Sequence, residues 1–271
     1  MKIYFACTGK EEAGYLIKND MKDILCSFHY YKTSQEYIKD LISQEGVDLF
    51  IDSGGFSADT LGTPINMDAY CQFLIDVKAT NYVVLDSIGD ADKTSANLEY
   101  MRTKGLSPFP AFHMGETEDW LIKYINENDK LALGGMVGGS ITELQEWLDN
   151  VWSTILRIKP EIKVHGFGIT SPEIMKRYPW YSCDSSSFKS GKRFGRLIHY
   201  NSHLKKFYTK EFNSWVQKYS VENNLPEILT DSKLRYEITD VFAANSYNQF
   251  VIDECNTDRR YEHLTHQTKL F

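Results

Sequence analysis

The stretch "LFIDSGGFSADT", residues 49–60, carries an apolar run into an acid and two glycines. Leu49, Phe50 and Ile51 suit a buried strand, yet the run ends on Asp52. A carboxylate at the end of a buried run is costly unless it is paired or used. Gly54 and Gly55 permit backbone conformations and close approaches that a side chain forbids, and Phe56 offers a flat apolar face. Turn punctuation accounts for the glycines by themselves, so the meaning of the stretch rests on whether it recurs.

It recurs along the chain. Apolar runs at 2–9, 47–52, 82–86, 109–114, 131–135, 162–168 and 180–184 read as strands. They alternate with helical patterns at 34–44, 67–78, 91–104, 117–126, 141–158 and 171–178. Ser171 and Pro172 form a helix start signal, N-cap then first helical position. Leu144, Trp147, Leu148, Val151 and Ile155 fall at helical spacing as core packing. Strand–helix alternation implies parallel strands joined by right-handed crossovers. Seven such strands, with room for an eighth, favour an α/β fold of the (β/α)8 TIM-barrel type over a doubly wound sheet, whose G-x-G-x-x-G after the first strand is absent. From about residue 199 the rhythm changes and the sequence turns charged and aromatic, with a helical pattern at 232–248. The expected organisation is a single domain over 1–271: a barrel core over about 1–200, then barrel closure and a helical extension over about 201–271.

Composition sets bounds. The chain has 271 residues, 42% hydrophobic and 25% charged, as in an ordinary globular protein. No run approaches the roughly 18 apolar residues of a membrane span, and the N-terminus shows no secretory core, so a cytoplasmic protein without membrane contact is expected. The five cysteines are scattered, odd in number and never in C-x-x-C spacing, which favours free thiols and argues against a zinc cluster. The net charge of −7 argues mildly against a broad nucleic-acid surface, but not against a local basic groove.

In a barrel, catalysis sits at the C-terminal ends of the strands. The last residues of the runs are Asp52, Asp86, His113, Gly134–Gly135, His165 and Asp184. A turn or helix-capping role accounts for any one of the acids. Three acids and a Gly-Gly at equivalent depth point instead to a site.

The segments "DSGGF" (52–56), "VVLDS" (83–87), "LALGGMVGG" (131–139) and "VHGFGITSPEIMKRYPWYSCDSSSF" (164–188) occur in the order, and with roughly the spacing, of the tRNA-guanine transglycosylase superfamily. The resemblance covers about residues 45–196. The compact form looks most like its phage and bacterial DNA 7-deazaguanine branch (DpdA-type). This resemblance implies a pentosyltransferase that exchanges guanine in DNA for a 7-deazaguanine such as preQ0, in a bacterial or phage-infected cell. Asp184 matches the nucleophile that attacks the anomeric carbon, and Asp52 the general acid/base. Asp86 matches the carboxylate that reads the base. Ser53 adds a polar contact, and the backbone around Gly134, Gly135 and Met136 donates to the base carbonyl. Phe56 fits a stacking wall or a core position. His165 fits a stacking imidazole or a structural histidine. His113 stands where the family places a glutamine-glycine contact. Glu116 reads an extra amine or caps the next helix.

"KSGKRFGRL" (189–197) gathers Lys189, Lys192, Arg193 and Arg196, which suit phosphates flanking an extruded nucleotide. The family's zinc cluster cannot be built, since only Cys255 follows Asp184; no metal and no cofactor are expected, and no zinc subdomain. DNA is therefore favoured over tRNA as the nucleic-acid partner, beside a free 7-deazaguanine base, and a homo-oligomer is left open. The rivals are the same exchange on tRNA, a non-catalytic subunit that positions nucleic acid, and a barrel hydrolase acting on a small nucleoside.

Overall fold

The computed structural model of the chain describes residues 1–256, apart from Val137 and the side chains of Phe56 and Asp59. The seven apolar runs and one further segment, β2, form eight parallel strands: β1 (Lys2–Cys7), β2 (Asp23–Ser27), β3 (Asp48–Asp52), β4 (Asn81–Tyr82), β5 (Ala111–His113), β6 (Lys130–Gly134), β7 (Lys163–Gly166) and β8 (Ser182–Ser185). Their order in the sheet is β4-β3-β2-β1-β8-β7-β6-β5. The two ends meet through a parallel bridge between Val83 and Phe109, with Val84 N–H donating to the Phe109 carbonyl at 2.9 Å. The (β/α)8 expectation holds: the sheet closes on itself, and helices fill the crossovers.

The interior of the barrel is an aromatic layer. The Phe50 ring stacks on His165 at 4.4 Å and meets Tyr4 at 5.5 Å and Phe109 at 5.2 Å. Below it, the Tyr4 hydroxyl donates to Asp48 at 3.0 Å, and Asn81 donates to the same carboxylate at 2.8 Å. Outside, the helix Ile141–Ile158 shows how the sequence specifies a crossover. Ser140 and Glu143 form a reciprocal capping box that satisfies the first orphan amides. Leu144, Leu148, Val151, Trp152 and Ile155 are buried, and Trp147 stacks on Phe112. Each such side chain contributes about 1.5–3 kcal/mol on burial.

Three features differ from the sequence expectation. The eighth strand is β2, "DILCS", whose five residues run straight into the helical turn Phe28–Tyr31 and give no alternating pattern of their own. Closure does not wait for the chain beyond residue 200, because β8 pairs with β1 from Lys2↔Ser182 to Phe5↔Ser185. The segment after the barrel opens with an antiparallel hairpin, β9 (Arg196–Asn201) and β10 (Lys206–Glu211), before the helices Phe212–Glu222 and Ser232–Phe250. The longer helix packs its buried face, including Ala243, Ala244 and Tyr247, onto the barrel. Residues 257–271 of the expected extension lie outside the described residues. Among the described residues no helix is long and apolar enough to cross a membrane.

Candidate active site at the barrel mouth

The C-terminal ends of the strands open into a cleft of about 520 Å³, within the usual range for small-molecule sites. Asp52, Asp86, His113, Gly134, Gly135, Met136 and Asp184 all line it, together with Phe167, Lys189 and Arg193. The strand-end reading therefore brings three acids and the Gly-Gly together as expected.

Asp52 ends β3 and turns over the "SGG" corner. The Gly54 N–H donates to its Oδ2 at 3.0 Å. Gly54 has φ +82°, and a Cβ there would stand 2.4 Å from the Ser27 hydroxyl, so only glycine fits. Burial, then the charges of Asp86 and Asp184, push the Asp52 carboxyl up to about 7. At neutral pH it is thus a proton donor poised between its two states.

Asp86 follows the short β4 and is pinned on both oxygens. Ser53 Oγ donates to Oδ1 at 3.1 Å, and His113 Nε2 lies 2.9 Å from Oδ2. Ser53 is fully buried and does not line the cleft, so it holds Asp86 rather than touching a ligand. His113, the last residue of β5, has its other ring nitrogen 3.1 Å from Glu116 Oε1, and its backbone N–H donates to Glu116 Oε2 at 3.1 Å. Burial by itself would lower the imidazole, but the two carboxylates outweigh it and raise it to about 9. His113 is a buried cation clamped between acids. Glu116 neither reads a ligand nor caps the next helix, whose N-cap is Thr117; it anchors His113. Gly134 explains itself here: a Cβ would sit 2.9 Å from the His113 ring.

Asp184 lies in β8 opposite Tyr4 and is 9% exposed. The Gly168 N–H donates to its Oδ1 at 2.9 Å. His165 stands 3.5 Å away through Nε2 but does not reach the cleft; it is fully buried and stacked on Phe50. The expectation that His165 stacks on a ligand is corrected, because it lies one layer too deep. Phe167, two residues further on, does line the cleft, as does Tyr30 after β2. The run "HGFG" (165–168) held that signal, since alternation places Phe167 on the same side as His165 and nearer the mouth. The side chain of Phe56 lies outside the described residues.

The four basic residues part company. Lys189 is 2% exposed and donates to Glu12 Oε2 at 3.0 Å. Burial would raise Glu12, but Lys189 and the Thr8 N–H outweigh it and hold the carboxyl below its usual range. Arg193 is exposed on the cleft wall, with one neutral contact to Ser186 Oγ at 3.3 Å. Lys192 lies over the Tyr236 ring, and Arg196 opens β9; neither lines the cleft.

No protein-family model matches the chain, and no curated protein matches it. Solved structures do share its fold. The tryptophan synthase alpha chain from Legionella pneumophila subsp. pneumophila covers 92% of this chain, and this chain 92% of it, at 8% identity and a TM-score of 0.51. The tryptophan synthase subunit alpha from Legionella pneumophila str. Paris gives 92% and 93% at 8% identity and 0.50. The YdjI aldolase from Escherichia coli K12 gives 96% and 93% at 10% identity and 0.47. The two neighbours whose TM-score reaches 0.50 are tryptophan synthase alpha barrels, not guanine transglycosylases. That finding overturns the expected exchange of guanine in DNA by a pentosyltransferase, and with it the tRNA and partner-subunit variants. At such identity the likeness shows the barrel and nothing finer.

Proposed function

We propose that this barrel is a hydrolytic enzyme that cleaves the glycosidic bond between a sugar and a planar, amine-bearing nitrogen heterocycle, a small nucleoside in the simplest case. The observation that carries the reading is the pairing of two acids in one cleft: Asp52, whose carboxyl burial and the neighbouring acids push up to about 7, and Asp184, held among the described residues by the Gly168 N–H on one oxygen only. A carboxyl group raised toward neutrality next to a second acid is the arrangement that glycoside cleavage uses for its acid and its nucleophile.

Asp52 protonates the departing heterocycle as the C–N bond breaks. Positive charge builds on the sugar, which an acidic cleft favours. Asp184 attacks the anomeric carbon and forms a sugar ester. Asp52, now ionised, takes a proton from water, whose oxygen displaces Asp184 and frees the sugar. Asp86, fixed by Ser53 and His113, accepts N–H groups from the heterocycle, and Phe167 offers it a face. The motif order of the acids supports distant kinship with the guanine transglycosylase superfamily; in this reading the acceptor is water, not a second base. Schiff-base aldol chemistry is disfavoured because the lysine that lines the cleft, Lys189, is committed to Glu12.

The test is release of free base from a panel of purine and pyrimidine nucleosides, followed by chromatography. The expected result is base release that falls by roughly a thousandfold or more in Asp184→Ala. A wild-type protein that frees no base from any member of the panel would end this reading.

A further inference from the structure

Beneath the cleft, one buried polar atom lacks a partner where chemistry gives it one. His165 Nε2 is buried, makes no hydrogen bond among the described residues, and lies 3.5 Å from Asp184 Oδ1. Its other nitrogen, Nδ1, is 2.9 Å from the hydroxyl of Ser182, also fully buried. The ring cannot turn freely, since it stacks on Phe50 at 18° and meets Phe167 edge-on at 4.7 Å.

Two tautomers are available to such a ring, and the second nitrogen's partner selects between them. With the proton on Nδ1, Nε2 would turn a lone pair toward a carboxylate oxygen in a dry interior. With the proton on Nε2, that repulsion becomes an attraction, and the Ser182 O–H donates to Nδ1. Electrostatics selects the second arrangement. At 3.5 Å the contact is longer than a hydrogen bond and needs only a small shift to close.

We infer that His165 is a positioning residue for Asp184: Ser182 fixes its tautomer, and its Nε2–H and the Gly168 N–H together hold Oδ1 against the protein so that Oδ2 faces the ligand. Oδ1 accepts the Gly168 N–H at 2.9 Å, while Oδ2 takes no protein hydrogen bond among the described residues. The same Nε2–H receives the charge that returns to Asp184 when its sugar ester breaks. This role rests on the proposed function only in its last step; the tautomer and the anchoring of Oδ1 do not.

The experiment has two arms. In the first, nitrogen-labelled histidine is followed by NMR in the whole protein. The expected signals are a protonated Nε2 and a bare Nδ1 on His165. The Nε2 proton resonance should move in Asp184→Asn, and Ser182→Ala should raise the population protonated on Nδ1. A wild-type ring protonated on Nδ1 would overturn the inference, whatever the enzyme does. The second arm is the base-release assay. His165→Phe keeps the stacking on Phe50 but loses the donor, so kcat should fall roughly ten- to hundredfold while KM stays within about twofold. His165→Gln, which restores a donor, should recover part of the loss. An unchanged kcat in His165→Phe would overturn the role. If that variant fails to fold, Ser182→Ala takes its place: a smaller kcat loss at constant KM supports the role, and wild-type kcat refutes it. If wild type releases no base at all, the proposed reaction fails and the first arm alone decides.

Discussion

The two walls of the cleft differ in how their charges are held. On the wall built from β3 to β6, every charged group is tied to another group of the same site: Asp86 to Ser53 and His113, and His113 to Glu116. On the wall after β8, the buried cation is tied away from the site. Lys189 bonds to Glu12, 177 residues earlier in the chain, and leaves the exposed Arg193 with a single neutral contact. Between Ser185 and Lys210 no acid occurs, so the sequence suggests one uniform basic strip. Of its first four cations, the fold buries Lys189 against Glu12, lays Lys192 over a ring, leaves Arg193 exposed on the cleft wall and puts Arg196 at the start of β9. Charge written in a sequence is therefore not the same as charge offered to a ligand.

The largest expected effect breaks that comparison at Lys189. Lys189→Met strands the Glu12 carboxylate in a partly buried site, and removing one member of a buried pair costs about 3–5 kcal/mol. Because Glu12 keeps some exposure, about 3 kcal/mol is expected, read as a lower urea midpoint. The double variant Lys189→Met with Glu12→Gln should recover most of it. A stable single variant with weakened ligand binding would return Lys189 to the ligand.

The acids of the cleft were largely legible in the sequence because they end apolar runs, and the end of a barrel strand is a position that pattern fixes. Asp52, Asp86, His113 and Asp184 needed no contact information to be found. What stayed hidden depends on partners distant in sequence or on depth. Glu116 looks like a helix start until His113 is seen to turn both ring nitrogens to carboxylates. His165 ends an apolar run like the others, but two residues of strand span about 6.6 Å, enough to move a side chain from the mouth into the aromatic layer. β2 was missed for another reason: five residues with polar ends carry too little periodicity to separate strand from turn.

The next effect concerns pH and again separates groups on the wall built from β3 to β6. The Asp52 carboxyl is raised from 3.8 to about 7, so the native state holds a proton that the unfolded chain releases between those values. Its stabilising contribution is complete below about pH 4 and is lost as pH rises through about 7. His113 is raised from 6.5 to about 9, so its contribution is complete below about pH 6.5 and is lost as pH rises through about 9. Both slopes run the same way, and stability from these two groups should decline by a few kcal/mol from pH 4 to 9. Asp52→Asn should flatten the lower half of the decline only, and Glu116→Gln should shift the upper half to lower pH. Urea midpoints at pH 4.5, 7 and 9 check this. A lower half unchanged in Asp52→Asn would mean that Asp52 ionises freely, and the acid and nucleophile roles would lose their basis.

The smallest effect on stability is expected at Arg193, and it sharpens the contrast with Lys189. Arg193 is exposed, and its one contact is to a neutral hydroxyl at 3.3 Å. Arg193→Ala should shift the urea midpoint by no more than about 0.5 kcal/mol. Its guanidinium nevertheless has donors to spare, in a fork that matches a phosphate. In the base-release assay, inhibition by a nucleoside 5′-monophosphate should weaken roughly three- to tenfold in Arg193→Ala, while inhibition by the parent nucleoside should not change. Equal loss for both inhibitors would mean that Arg193 shapes the cleft without reading charge. A stability loss like that of Lys189→Met would mean that the two cations differ only in exposure, and the division between a structural and an available charge would fall.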